Sequence, residues 1–258
     1  QRHGFNYFRY QKVRNEIVFV PKEEFNNPVN VTSVATKMLI AVTGIALILF
    51  VLAHMLGNLQ IFAGRESLNA YAAKLKSLGP LLWIARIGLL CVFSLHIILT
   101  IKLCRSNHKA RGAAVSDSPI AGLLGERYSH PYSYSTATAS ARFMIFSGLL
   151  ILLFVIYHLA HFTFYQIGDA PPPLEGGGYD VYEMVIQGFS NTWISLSYIC
   201  FQIVLGLHVY HGASSALQTL GLRIQTTKKP VSLLGIALAA LITGGNISIP
   251  LAVWMRLI

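Results

Sequence analysis

Four histidines lie deep inside long apolar stretches of the chain, and these residues could carry its chemistry. They are His54, His96, His158 and His208. An ionisable side chain within a lipid-spanning segment is costly, and such residues usually bind a group or move charge. One histidine in each of four stretches therefore indicates two pairs of axial ligands, and b-type haem is the group that such a pair would hold.

The elements that must position these histidines are membrane helices. Of the 258 residues, 54% are hydrophobic and only 12% are charged, whereas a soluble domain carries about 25% charged residues. Spans of about 20 apolar residues are long enough to cross a bilayer. Five such spans are predicted, at residues 35–62, 81–103, 142–167, 192–218 and 231–256. The expected fold is all-α and integral to the membrane, with four of the five transmembrane helices forming a haem-binding bundle.

The distribution of basic residues predicts the orientation of these helices. Fifteen of the twenty Lys and Arg residues lie in the ranges 1–37, 102–142 and 217–231, while the connection at 168–191 contains none. Basic loops face the cytoplasm, so the N-terminus is expected to be cytoplasmic. Topology therefore explains the net charge of +10, and binding to nucleic acid is not expected.

The chain divides into a short first segment and one membrane domain. Residues 1–30 are expected to form a cytoplasmic N-terminal segment, and residues 31–258 the five-helix domain. Residues 65–79 have the apolar spacing of an interfacial helix. Residues 168–180 are rich in Pro and Gly, which is typical of a loop.

An internal repeat relates the first and third spans. TGIALILFVLAHML in the first span matches SGLLILLFVIYHLA in the third. In each, a hydroxyl residue precedes Gly44 or Gly148, and a histidine follows ten residues after that glycine. The third span contains both His158 and His161, and the repeat favours His158. The two glycines are expected to make room for a flat macrocycle.

Depth in the membrane pairs the histidines of the first and third spans. At a rise of about 1.5 Å per residue, His54 lies about 26 Å from Lys37 at the cytoplasmic end of its span. His158 lies about 24 Å from Arg142, where the third span starts on the same side. These two histidines therefore share the outer half of the bilayer.

The same arithmetic leaves an inner pair in the second and fourth spans. His96 is only about 9 Å from Lys102 at the inner end of its span. Its partner lies in the fourth span, which contains both His208 and His211. The repeat favours His208 and depth slightly favours His211, so the residues alone leave this choice open.

Other roles for intramembrane histidines agree less well with the sequence. A single histidine can bond two helices together. His161 and His211 are expected to be structural residues that bond a haem propionate or a loop. Zinc and proton transport usually involve nearby carboxylates, and the apolar spans contain none. A ligating imidazole donates its second ring N–H to a partner, and Thr43, Ser94 and Ser147 are the expected partners.

These motifs together resemble those of a known family. They are Thr43-Gly44 followed by His54 and Asn58, SLNAY at 67–71, Leu95-His96, Ser147-Gly148 followed by His158, and HVYHGASSALQTLG from His208 to Gly221. Over about residues 32–225 the chain resembles the cytochrome b membrane-anchor subunit of succinate dehydrogenase and fumarate reductase, in its five-helix, two-haem form. The family places glycines four and thirteen residues after its fourth-span ligand, and Gly212 and Gly221 match that spacing for His208.

The resemblance implies a function and partners. His54 and His158 would ligate an outer haem b, and His96 and His208 an inner one. The chain would be the non-catalytic haem and quinone subunit of a complex in a bacterial or archaeal cytoplasmic membrane. Its partners would be a flavoprotein with FAD and an iron–sulfur protein, both on the cytoplasmic face, and electrons would pass to or from a quinone, usually menaquinone.

The sequence departs from the family at one position, and it offers several candidate residues for the quinone site. Some two-haem fumarate reductases carry a glutamate two residues before the fourth-span ligand, tied to proton movement, and Gly206 stands at that position here. The candidate quinone residues are Ser33, Lys37, Asn69, Tyr71 and Lys74. The rival functions are a cytochrome b subunit of a hydrogenase or formate dehydrogenase, and a histidine-based proton-coupled transporter.

Overall fold

The computed structural model describes residues 8–13, 16–21, 33–110, 143–175, 177–224 and 226–258. Contacts divide the chain into two compact units, Gln1–Thr36 and Lys37–Ile258. The first unit contains an antiparallel hairpin of β1 (Phe8–Val13) and β2 (Glu16–Pro21). The sequence did not lead us to expect strands in this segment.

Five helices of the described chain are long and apolar enough to cross a membrane, as the composition predicted. They are α1 (Ser33–Asn58), α3 (Pro80–Ala110), α4 (Met144–Phe162), α6 (Thr192–Thr219) and α7 (Lys228–Trp254). A 3-10 helix at Leu59–Ala63 extends α1. The chain is therefore a multi-pass membrane protein, and apart from the hairpin the regular structure of the described residues is helical.

The third membrane helix is shorter than its apolar stretch suggests. Helix α4 ends at Phe162 rather than near residue 167. There the backbone folds back, because the N–H groups of Phe164 and Gln166 bond to the carbonyls of Leu159 and Ala160. Tyr165 adopts the left-handed conformation with a φ of 53°, which ends the helical hydrogen-bond ladder.

Two shorter helices lie in the connections at one end of the bundle. Helix α2 (Arg65–Ser77) joins α1 to α3 and confirms the interfacial helix expected at 65–79. Helix α5 (Val181–Ser190) precedes α6 and was not expected. Its N-cap is Asp180, whose carboxylate accepts from the Glu183 N–H. That carboxylate satisfies an N–H that an α-helix otherwise leaves unpaired.

The most extensive packing between helices joins α6 to α7. A Cβ on Gly206 of α6 would overlap the side chain of Thr243 on α7. A Cβ on Gly235 of α7 would lie 2.6 Å from the Ser214 hydroxyl. Small residues at these crossings let the two backbones approach closely. Position 206 therefore faces α7, and a side chain as large as glutamate has no room there.

An apolar core lies at the end of the bundle that carries α2 and α5. Its buried residues are Ile61, Leu68, Phe154, Phe189, Tyr198, Ile249 and Val253. They come from six elements, so this cluster joins α2, α5 and the 3-10 helix that follows α1 to the membrane helices α4, α6 and α7. In contrast, none of the α3 residues with a described side chain is buried.

Candidate functional site

The inner histidines both bond to hydroxyl groups on a neighbouring helix. His96 lies on α3, and its Nδ1 is 3.0 Å from the Thr43 Oγ1 on α1. His208 lies on α6, and its Nδ1 is 2.9 Å from the Ser147 Oγ on α4. Thr43 and Ser147 are the two hydroxyl residues that open the internal repeat. The repeated sequence thus makes the same contact twice.

The hydroxyl protons in these contacts are committed to backbone carbonyls. The Thr43 hydroxyl donates to the carbonyl of Leu39 at 2.7 Å, and the Ser147 hydroxyl donates to that of Met144 at 3.0 Å. Each hydroxyl oxygen therefore accepts from the imidazole Nδ1–H. A neutral imidazole has one N–H, so the lone pair is on Nε2, the nitrogen left to bind a metal.

The repeated glycines also face the inner histidines. A Cβ on Gly44 would lie 3.2 Å from Cε1 of His96, and a Cβ on Gly148 would lie 3.5 Å from Cε1 of His208. The sequence related these glycines to the histidines ten residues later on the same helix. In the structure each one instead leaves space beside a histidine on the next helix of the bundle.

The outer histidines lie side by side. The ring centroids of His54 on α1 and His158 on α4 are 5.8 Å apart, with an interplanar angle of 86°. The Asn58 amide nitrogen lies 3.1 Å from His54 Nε2. An amide nitrogen can only donate, so His54 also carries its lone pair on Nε2.

His158 has a different kind of partner. Its Nδ1 is 3.4 Å from the hydroxyl of Tyr198 on α6. The same hydroxyl is 3.0 Å from Nδ1 of His161. Tyr198 and His161 are both buried, with 4% and 2% of their surfaces exposed. Sequence reasoning missed Tyr198, since a tyrosine in an apolar span carries no signal of a contact with another helix.

Helices α4 and α6 each carry two histidines one turn apart, and the contacts of these histidines differ. His158 faces His54, whereas His161 is turned towards Tyr198, the loop residue Gly168 and Gly188 of α5. In the fourth span, His208 receives the Ser147 contact. Thr43 and Ser147 make the histidine contacts that were expected of them. Ser94, the third expected partner, makes none among the contacts described for this helix.

The candidate quinone residues do not form one site. Ser33 and Lys37 are exposed on the first turns of α1, and Lys74 is exposed on α2 at the other end of the bundle. The Asn69 amide is engaged at both ends, since its nitrogen donates to Asp180 and its oxygen accepts from the Tyr182 N–H. Through these two bonds Asn69 joins α2 to the start of α5, which is a structural role. The location of a quinone stays a prediction.

Tyr71, the fifth candidate, packs on α1. A Cβ on Gly57 would overlap the Tyr71 ring and hydroxyl. Gly57 thus lets the interfacial helix lie close to the end of α1. This packing accounts for both residues without a ligand.

The end of the bundle that carries α2 and α5 has a charged cluster that the sequence did not reveal. The Arg65 guanidinium on α2 pairs with Asp180 at 2.8 Å and with Glu183 at 2.5 Å. Burial opposes ionisation of Asp180, but bonds from Asn69 and the Glu183 N–H, with the Arg65 charge, lower its pKa below the ordinary value. The cluster joins α2 to α5 across more than a hundred residues of sequence.

A cavity of about 160 Å³ lies beside His161. Its lining includes the polar residues Asp169, Gln187 and Asn191. A volume of this size holds a few water molecules, each taking about 30 Å³. It is smaller than the pockets of about 300 to 1,000 Å³ that bind organic ligands.

No protein-family model, curated protein or solved structure matches this chain. The family resemblance therefore depends on the motifs alone.

Proposed function

We propose that this chain is the membrane anchor and electron-transfer subunit of a succinate:quinone oxidoreductase. It would connect an iron–sulfur subunit with a quinone through two b-type haems. The proposed quinone is menaquinone, which is usual for the two-haem form of the family.

One observation carries the proposal. Thr43 and Ser147, at equivalent positions of the repeat, each accept a hydrogen bond from the Nδ1 of a histidine on the following membrane helix. This arrangement orients two imidazoles with Nε2 lone pairs in an apolar bundle, which is how proteins prepare histidine for a metal. The glycines beside those two rings let the imidazoles lie close to the backbone of the neighbouring helix.

Each of the two haems would be held by its own pair of histidines. His96 and His208 would ligate the inner haem, and His54 and His158 the outer one. Haem supplies one-electron chemistry when bound. The chain supplies the imidazoles, the hydrogen bonds that raise ligand basicity, and an apolar shell that excludes water from the bundle.

The proposed partners follow from the family resemblance and the charge distribution. A flavoprotein with FAD and an iron–sulfur protein would dock on the cytoplasmic face, where the basic connections lie. The membrane would be that of a bacterium or archaeon. Gly206 packs against Thr243, so a proton path through a glutamate at position 206 is not part of the proposal.

Optical spectroscopy of the purified chain tests the haem sites. The dithionite-reduced minus oxidised spectrum should show b-type haem, and pyridine haemochrome analysis should give two haems per chain. A spectrum without a b-type band would refute every cytochrome function and would favour a histidine-based transporter.

Isolation of the native complex tests the enzyme to which the chain belongs. The chain should purify with a flavoprotein that oxidises succinate and with an iron–sulfur protein. A haem-containing chain that purifies with a hydrogenase or formate dehydrogenase instead would contradict this assignment and leave the haem sites intact.

A further inference from the structure

The hydroxyl of Tyr198 contacts two histidines, whereas those of Thr43 and Ser147 each contact one. Those two hydroxyls give their protons to carbonyls of their own helices, which leaves the oxygen to accept from Nδ1 of the inner histidine. The Tyr198 hydroxyl is at the tip of a long ring and reaches two imidazoles instead, Nδ1 of His158 and Nδ1 of His161. The direction of its proton decides which nitrogen of His158 has the lone pair.

The two distances indicate the direction. The contact from Tyr198 to His161 is the shorter, at 3.0 Å against 3.4 Å to His158. A hydroxyl has one proton and two lone pairs. If the proton lies on the shorter contact, the Tyr198 oxygen accepts from the Nδ1–H of His158. The Nε2 of His158 then has the lone pair, like that of its neighbour His54.

His161 is held where it can accept that proton. Its ring lies between two glycines, because a Cβ on Gly168 would approach its Nε2 to 2.9 Å and a Cβ on Gly188 would approach it to 3.0 Å. Its Nδ1 faces Tyr198. With Nδ1 as acceptor, the N–H of His161 is on Nε2, on the edge that lines the small polar cavity.

We propose that Tyr198 and His161 are a positioning pair for the outer haem, in which His161 accepts the Tyr198 proton and so makes the Tyr198 oxygen the acceptor for His158. The pair does for His158 what a hydroxyl and a backbone carbonyl do for each inner histidine. This inference rests on the proposed haem function and adds a role for two residues that ligate nothing.

Replacement of Tyr198 is the direct test. In the Tyr198→Phe variant, His158 loses the acceptor that raises its basicity, so the midpoint potential of the outer haem should rise while that of the inner haem is unchanged. The electron paramagnetic resonance signal of the outer haem should shift in the same variant. Both measurements use the purified complex with its two haems.

The chain offers a matched control for this variant. Tyr157 lies in the same aromatic cluster, 5.4 Å from the Tyr198 ring, but its hydroxyl contacts Ser197 rather than a histidine. Tyr157→Phe should leave both potentials unchanged. Equal shifts in the two variants, or no shift in Tyr198→Phe, would overturn the positioning role.

A second pair of variants tests His161 and does not depend on Tyr198→Phe folding. His161→Ala removes the proton acceptor and should shift the outer-haem potential in the same direction as Tyr198→Phe, but less. His161→Asn places a carbonyl acceptor near the position of Nδ1 and should restore it. If Ala and Asn behave alike, His161 only fills space and the inference fails. Haem content in the unmodified chain decides the proposed function separately.

Discussion

Polar contacts with neighbouring side chains decide the tautomers of the histidines in the apolar helices. For three of them, the contacts of Thr43, Ser147 and Asn58 leave the lone pair on Nε2. The proposed roles of Tyr198 and His161 extend this to His158. The partners of His96 and His208 come from neighbouring helices, so tertiary packing would decide which nitrogen of each ring is left to bind a metal. The partner of His54 comes from the next turn of its own helix.

Removal of one outer histidine should remove one haem. His54→Ala or His158→Ala should halve the haem content and leave the inner haem, because His96 and His208 keep their own hydroxyl contacts. Haem quantification of the purified variants measures this. His211→Ala is the control and should retain both haems. If His211→Ala lost a haem while His54→Ala kept both, the assigned ligands would be wrong.

The Thr43 contact should contribute measurably to the inner site. Thr43→Val keeps the shape of the side chain but removes the acceptor for His96, and loss of such a partner weakens metal sites by about 10- to 100-fold. Haem transfer to an excess of apomyoglobin should therefore be about 10-fold faster for the inner haem. Thr43→Ser keeps the hydroxyl and should match the unmodified chain. If the Thr43→Val and Thr43→Ser variants transfer haem at the same rate, the Thr43 hydroxyl has no part in the site.

At the scale of elements, the connecting helices are joined by polar contacts rather than by apolar packing alone. Arg65 and Asn69 of α2 both reach Asp180, which caps α5. These bonds fix the connection between α1 and α3 against the connection between α4 and α6. The histidine-bearing helices are thereby tied together at the end of the bundle where the outer pair lies.

The Asp180 cluster should make stability depend on pH. The pKa of folded Asp180 is below its ordinary value, so its ionised contacts stabilise the fold above the unfolded pKa of about 4. That contribution is lost as the pH falls through the folded pKa. Asp180→Ala should cost about 1 kcal/mol at neutral pH through the lost N-cap.

Thermal unfolding in detergent at several pH values measures this effect. The Tm difference between the unmodified chain and Asp180→Ala should shrink as the pH falls below about 4. Asp180→Asn keeps a capping side chain and should lose less stability than Ala. A Tm difference that is constant from neutral to acid pH would show that ionisation of Asp180 contributes nothing.

At the scale of the whole molecule, the last two membrane helices, α6 and α7, run in opposite directions. Trp83 and Trp193 lie near the starts of α3 and α6, and Trp254 is the last residue of α7. The Trp254 indole N–H donates to Thr192, so the end of α7 meets the start of α6. Tryptophans at one level of a bundle are typical of a membrane interface.

Cysteine labelling tests the orientation predicted by the basic loops. In a background without native cysteines, Glu175→Cys lies in the Pro/Gly-rich connection and Lys229→Cys at the start of α7, both at exposed positions. An impermeant thiol reagent on intact cells should label only Glu175→Cys. After the cells are broken, both should react. Labelling of Lys229→Cys alone in intact cells would reverse the orientation.

The sequence by itself determined the five membrane helices and the chemistry of the residues they carry. Apolar length specifies five helices because a bilayer requires about 20 residues to cross, and histidine is costly enough in lipid to indicate a site. The repeat separated His158 from His161 and associated hydroxyls and glycines with the histidines. Each of these features depends on residue type and spacing along one helix.

Only the tertiary structure decided which side chains meet between helices. Thr43 and Gly44 lie against His96 rather than the histidine of their own helix, and Tyr198 joins His158 to His161. The rotation of each helix about its axis sets these contacts, and it depends on packing such as that of Gly206 against Thr243. Apolar periodicity is weak in helices surrounded by lipid, because most of their faces are apolar. The partners of the histidines therefore could not be assigned from the sequence.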